Sequence, residues 1–349
     1  MKGVAGPGVQ TVICFGHNVR GLKDEKLEEL VEHMKRREIW AYAVQETWRE
    51  GDVQLEESGG HLFINHGYAE RRCHRGSGGV GFVLSPEARK AWEAAGSKVM
   101  HFGERIVAIM LKVPVAGGDG VVDIMMVSAY APIGAAPLEE REQFLAELAD
   151  CKEKCSEQVV WLASIDGNAA LGVKRGRECK VLGRAGNPRT NPAGKLMYQM
   201  LAESRLLACG TFNGGTFKPG SYDTWFYPKY HVGYQLDHWL TSRGDLKRVR
   251  RCWVDARGTV DSDHRPVGVK LLISRRNPTQ SAGFRKPPRK SGAGGESRMA
   301  TRPNKRLLMD KGVQEDFVKA AVRAANLKDP GWKNEHSEFE LLNECLTKA

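Results

Sequence analysis

No run of about 18 apolar residues occurs anywhere in the 349, so a membrane-spanning helix is not expected. Residues 1–10 are Gly-rich and have no apolar stretch, which argues against a secretory leader. The eight cysteines are scattered, with no CxxC pair and no Cys/His grouping at zinc spacing. They read as reduced, mostly buried thiols, and the expectation is a soluble intracellular protein. Internal repeats are absent. Charge is scarce where it would be most informative. The chain carries a net +11, but residues 274–306 hold ten Lys or Arg against the single acid Glu296, a net +9 that leaves only +2 for everything else. The basicity belongs to a tether, and it says little about any catalytic face.

What is present is a series of short, Val-, Ile- and aromatic-rich runs of strand length, at residues 11–15, 40–44, 62–64, 79–84, 105–113, 121–129, 159–165, 206–212, 235–240, 249–254 and 266–273. Three amphipathic stretches between them, 22–37, 138–151 and 193–204, predict helices. The last follows Asn191-Pro192, a cap with proline just inside the helix. Many strands with few helices, and no strict βαβ alternation, predict an α/β domain over 11–273 built from two packed sheets flanked by helices. Residues 1–10 read as a flexible lead-in, and 274–306 as a basic linker too polar to order itself. Residues 307–349 read as a helical segment, with Val313, Phe317, Ala321 and Ala324 on one face. About forty residues make a poor core alone, so this part reads as a docking segment or the start of something longer.

Six polar groups stand where apolar runs end, the place where a sheet scaffold presents side chains to a ligand. They are Asn18 in Gly16-His17-Asn18-Val19-Arg20-Gly21, Glu46 in Gln45-Glu46-Thr47, Tyr130 before Ala131-Pro132, Asp166 and Asn168 around Gly167, Asp237 in Leu236-Asp237-His238, and Asp263-His264 after Ser262. Singly, each has an ordinary explanation. Asn18 and the Asp166-Gly167-Asn168 segment are turn chemistry, Glu46 a solvated strand end, Tyr130 an amphipathic rim residue and His264 a hydrogen-bonded structural histidine. Their order and company change that reading.

In this order the segments resemble the endonuclease/exonuclease/phosphatase superfamily, in particular the endonuclease domain of LINE-type (non-LTR) retrotransposons. The resemblance rests on Asn18 with Gly21, Gln45-Glu46-Thr47, Tyr130-Ala131-Pro132, Asp166-Gly167-Asn168, Thr224-Trp225, Leu236-Asp237-His238 and Ser262-Asp263-His264, and it runs from about residue 12 to 273. It implies a deoxyribonuclease I-like four-layer sandwich and hydrolysis of a phosphodiester, most simply DNA nicking. It implies Mg2+, with Mn2+ as a substitute, held by Glu46 with Asn18 and Asp263 nearby; an all-oxygen set of this kind suits hard cations. It further implies an Asp237–His264 pair at the scissile phosphate, Asp166 aligning the attacking water, and Asn168 and Tyr130 donating to phosphate oxygens. Whether Asp166 or His264 is the general base stays open at this point. Arg20, Trp225 and Arg72 are expected to meet substrate, Arg72 from the basic loop ahead of Gly76-Ser77-Gly78-Gly79. The chain departs from the family's Gly-Asp-Phe-Asn loop by carrying Ile165-Asp166-Gly167-Asn168, which removes an aromatic and predicts a looser loop. A phosphatase or RNA-directed enzyme of the same superfamily, and a noncatalytic nucleic-acid binder, are the competing readings. The cluster at 285–290 in the basic tether reads either as backbone attraction to nucleic acid or as a nuclear import signal.

Overall fold

The computed structural model describes residues 10–67, 78–115, 120–173, 181–212, 222–227, 232–257 and 260–274. Arg72 and its basic loop, the tether after Ser274 and the segment 307–349 lie outside the described residues. In chain order the elements are β1 (Gln10–Asn18), α1 (Asp24–Arg37), β2 (Ala41–Gln45), β3 (Asp52–Glu57), β4 (His61–His66), β5 (Val80–Leu84), α2 (Pro86–Ala94), β6 (Val99–His101), β7 (Ile106–Pro114) and β8 (Val121–Tyr130). They continue with α3 (Leu138–Glu153), β9 (Val160–Asp166), α4 (Pro192–Glu203), β10 (Leu206–Ala208), β11 (Trp225–Tyr227), β12 (Val232–Tyr234), β13 (Asp237–Ser242), β14 (Val249–Val254) and β15 (Val267–Ile273).

Alternation along the strands builds the layers, because successive side chains leave a strand on opposite faces. A seven-stranded sheet runs β14-β15-β1-β2-β5-β4-β3, and a six-stranded sheet runs β10-β13-β9-β8-β7-β6. Val12, Cys14, Ala41, Ala43 and Phe82 of the first face Val107, Ile109, Leu111, Met126 and Leu162 of the second, forming the central core. The opposite faces need helices. Tyr42, Val44, Phe63 and Val83 are covered by Leu27, Leu30, Val31 and Met34 of α1. Val127, Ala129, Trp161, Ala163 and Ile165 are covered by Phe144 and Leu148 of α3 and Met197, Met200 and Leu201 of α4. The result is the predicted four layers, helix, sheet, sheet, helix. Each large side chain so buried contributes about 1.5–3 kcal/mol.

Two local features set how closely the layers meet. A Cβ at Gly16 would run into the Ser164 hydroxyl, so glycine permits β1 to approach β9 across the sandwich. The predicted cap of α4 is present, with the Asn191 side chain accepting from the Gly194 N–H at 2.7 Å and Pro192 opening the helix. The strand expected over 206–212 stops at Ala208. The Thr211 hydroxyl donates to the Ala208 carbonyl at 2.7 Å and closes a 3-10 turn over Cys209–Thr211.

Both sheets are mixed, and in each the single parallel pair matters most. β1 runs parallel to β2, and β8 to β9, so these four strands deliver their C-terminal ends to one end of the sandwich. Antiparallel β13 and β15 start there: Asp237 pairs with Asp166, and β15 runs back along β1 with Gln10 opposite Ile273.

Candidate active site

That end of the sandwich gathers the polar strand ends into one hydrogen-bonded group. Asn18 closes β1, and its amide donates to Glu46 Oε1 at 2.7 Å and to Asp166 Oδ2 at 2.8 Å, which links the two sheets. Glu46 also accepts from the Trp48 indole at 3.2 Å and from the Tyr130 hydroxyl. Asp166 Oδ2 stands 4.0 Å from His264 Nε2, and His264 Nδ1 donates to Asp237 Oδ2 at 2.9 Å. Asn18, Asp166, Asp237 and His264 are all buried, while Glu46 is half-buried.

Backbone strain is concentrated here. Arg20, Glu46, Trp48 and Asn168 all have positive φ, between 45° and 56°, without being glycine. Such conformations persist only where surrounding contacts hold them, and they cluster at functional sites. Beneath the strained turns lies a polar layer between the sheets. Gln45 donates to Ser128 Oγ at 3.1 Å, and Ser128 donates to the Val44 carbonyl at 2.9 Å.

Burial and charge pull the titrating groups apart. Burial, then the charge of Asp237, pushes Asp166 up to about 7. Asp237 meets the same burial, but the His264 charge and hydrogen bond outweigh it and hold its carboxyl below the ordinary range. Burial opposes charge on His264 too, yet Asp237 and Asp166 together raise its pKa to about 10. Burial, then Glu46 and Asp166, raises Tyr130 above the ordinary phenol range, leaving its hydroxyl a donor. The cluster therefore holds a fixed imidazolium between one firmly ionised carboxylate and one poised near neutrality.

The remaining expected residues form the rim. Asp263 Oδ2 accepts from Arg20 Nη1 at 2.9 Å and from Trp225 Nε1 at 3.1 Å. Trp225 is half-buried, edge-on to Tyr227, with its indole N–H committed to that carboxylate. Asn168 donates from its backbone to Asp166 Oδ1 at 3.0 Å and from its amide to the Ala131 carbonyl at 2.9 Å, tying two strand ends together. Gly167 packs against Met197, whose sulfur lies 3.1 Å from where a Cβ would stand, and its N–H donates to the Leu236 carbonyl at 3.0 Å. These contacts hold the loop that loss of the aromatic was expected to loosen.

Several supporting residues carried no role in the sequence reading. The Thr224 hydroxyl accepts from the Leu236 and Asp237 N–H groups at 2.9 and 3.1 Å and hydrogen-bonds the Asp237 carboxylate. Ser262 Oγ donates to the Asn18 carbonyl at 2.7 Å and accepts from the His264 N–H at 3.1 Å. His17 Nε2 donates to the His264 carbonyl at 3.1 Å, while burial lowers its pKa to about 4. Thr224 and Ser262 lie inside the Thr-Trp and Ser-Asp-His segments, and His17 stands before Asn18 where the family more usually has a hydrophobic residue or Trp, a departure expected to alter the packing beside the metal, so the signal was there; Trp48 had none.

No protein-family model and no curated protein matches the sequence. Solved structures do match in fold. The AP endonuclease LMAP from Leishmania major aligns at TM-score 0.55 and 14% identity, over 75% of this chain and 88% of that one. A 3'-5' exonuclease, NExo, from Neisseria meningitidis aligns at 0.51 and 16%, over 74% and 99%. The catalytic domain of APE2 from Xenopus laevis aligns at 0.50 and 14%, over 75% and 93%. The chain has the fold of the endonuclease/exonuclease/phosphatase superfamily. On this superfamily fold, the acidic strand ends suit a hard divalent cation: every candidate ligand atom on Asn18, Glu46 and Asp263 is oxygen. One of them, Asp263 Oδ1, is buried with no partner among the described residues, as a carboxylate oxygen awaiting a cation would be.

Proposed function

We propose that this chain is a divalent-metal-dependent endonuclease that nicks DNA, of the LINE-type retroelement kind. The observation that carries the proposal is convergence. Asn18, Glu46, Tyr130, Asp166, Asp237 and His264 come from six strand ends spread over almost 250 residues, yet they share one hydrogen-bonded cluster. The superfamily fold and the ordered motifs support it, and the basic tether fits a polyanionic partner.

Magnesium held by Glu46, with Asn18 and Asp263 nearby, would supply charge relief at the phosphoryl oxygens. The chain's own groups divide the remaining work. His264, kept protonated by Asp237, would present Nε2–H to a non-bridging phosphate oxygen, where negative charge grows in the transition state. Asp166, whose pKa of about 7 suits the task, would take the proton of the attacking water. A histidine held at about 10 is a donor and a poor base, which favours Asp166 for that step. Tyr130 would donate from the same side. Arg20 and Trp225, on the rim, would meet the strand being cut.

The deciding experiment is nicking of supercoiled plasmid by the purified full chain with Mg2+, with EDTA, and with His264→Gln in place of the wild type. Nicking that needs both metal and His264 supports the proposal. A folded wild type that leaves plasmid intact but hydrolyses RNA or a phosphomonoester would move the substrate elsewhere in the superfamily, and inactivity on all three would leave a binding module.

A further inference from the structure

A second group of Asp and His side chains stands at the edge of the sandwich, clear of the catalytic cluster. Asp52 opens β3 and faces His66 at the end of β4, the outer pair of the seven-stranded sheet. His101 ends β6, the edge strand of the six-stranded sheet. One carboxylate and two imidazoles thus meet across the two sheets, with a ligand atom from each lying within 4.8 Å of the others. Asp52 Oδ1 is 2.6 Å from His66 Nδ1, and Asp52 Oδ2 is 3.7 Å from His101 Nδ1. The two rings lie face to face, 4.1 Å apart and 12° from parallel.

The orientation of the rings makes this arrangement informative. His66 Nε2 lies 3.1 Å from the Gly103 carbonyl, which can only accept, so that nitrogen donates and Nδ1 is the one turned to the Asp52 carboxylate. His101 turns its own Nδ1 to the other oxygen of the same carboxylate. Two ring nitrogens and one carboxylate therefore converge from three strands on a space that a single divalent ion can share.

We propose that Asp52, His66 and His101 form a binding site for a borderline divalent transition metal of the zinc class, which clips the edge strands of the two sheets together. Two imidazole nitrogens and one carboxylate oxygen, with a position left for water, select zinc, nickel or cobalt over magnesium. The Gly103 carbonyl behind His66 is the outer partner that fixes the tautomer of a metal-bound histidine. Seating the ion requires oxygen and nitrogen to part from 2.6 Å to about 3.3 Å, the spacing of two ligands on one tetrahedral zinc, with both rings turning about their soft terminal torsions. The side chains of Asp52 and His101 are 56% and 38% exposed, so the ion has an entry path. Gln45, Val80 and His66 share one row of the sheet, which puts this group two strand spacings, roughly 10 Å, from the strand end that carries Glu46. The site is separate from the active site and does not depend on the nuclease reading.

The test is Co2+ titration of the full chain, read by visible absorption in excess Mg2+, with the effect of Zn2+ on the melting temperature as a second readout. The Asp52→Asn/His101→Gln double variant is compared with wild type and with Glu46→Gln. The expected result is one fewer Co2+ equivalent in the double variant, with no thiolate-to-cobalt charge-transfer band in the lost signal. Zn2+ should raise Tm by at least about 3 °C in wild type and Glu46→Gln, and not in the double variant. Equal Co2+ stoichiometry in wild type and double variant overturns the proposal, as does a signal lost with Glu46→Gln instead. His101→Gln alone, on an edge strand, serves if the double variant does not fold.

Discussion

Among the described residues two Asp/His clusters are built from the same side-chain chemistry, and they differ mainly in water. In Asp166–Asp237–His264 the side chains are 1%, 6% and 7% exposed. In Asp52–His66–His101 they are 56%, 13% and 38% exposed. Sealed from solvent, the inner carboxylates cannot both ionise freely beside one imidazole, and their pKa values separate in opposite directions. The outer cluster keeps solvent contact, which screens its charges and leaves room for an ion to enter. Residue type is common to both places; burial is what separates them.

The sharpest way to break the contrast is to remove the acid that faces solvent within the inner site. Glu46→Gln is expected to lower plasmid nicking by at least about 10³-fold while moving Tm by no more than about 2 °C, because Glu46 is half-buried and glutamine keeps one oxygen to accept from Asn18. Next comes Asp237→Asn, which leaves His264 without its main counter-charge. Chemical denaturation should show a loss of about 3 kcal/mol, the usual consequence of breaking a buried pair from one side. Its pH profile adds a sign. With a folded pKa of about 10, above the ordinary 6.5, His264 contributes stability that is fully present below pH 6.5 and lost as pH rises through 10. In Asp237→Asn that alkaline loss should be smaller and should end at lower pH; an unchanged alkaline limb would show that the pair does not set it.

A comparable effect is expected at acid pH from His17, whose folded pKa of about 4 lies below 6.5. The unfolded chain takes up that proton first, so stability should fall as pH drops from 6.5 towards 4, by about 3 kcal/mol in all. His17→Gln should flatten that slope in urea titrations at successive pH values. The smallest effect belongs to the outer cluster. In the presence of a chelator, Asp52→Asn should change stability by less than about 1 kcal/mol, since solvent-exposed pairs contribute little. A larger loss would mean the outer cluster is as structural as the inner one.

Much of the architecture was legible because apolar runs report burial on both faces. The long central strands β1, β7, β8, β9 and β15 fall within a few residues of where Val, Ile and aromatic density put them. β3 was not legible: Asp52–Glu57 alternates polar and apolar on an edge, and its burial is never complete. Helix α2 had a readable start in Ser85-Pro86-Glu87, where Ser85 caps Ala88 at 3.2 Å, but only nine residues and a small buried face followed it. In the site, motif order pointed to residues whose side chains prove to be neighbours. Their burial was not foreseeable. His264 is 7% exposed between two carboxylates, so its loss should cost stability as well as turnover. Nor could sequence show that Asn168 would spend its amide on the Ala131 carbonyl, or that Thr224 would brace Asp237, since both depend on strand ends brought together by the fold.

The pairing of β1 with β15 also sets a timetable. The six-stranded sheet is drawn from one continuous stretch, 99–242, whereas the seven-stranded sheet waits for Gln10 to meet Ile273. That contact closes the longest loop in the domain and is the slowest kind to form. It also delivers Asp263 and His264, which lie just ahead of β15. On a translating ribosome, the growing chain would already carry Asn18, Glu46 and Asp166 while still lacking His264, and the cluster would stay incomplete until the final strand emerged and docked.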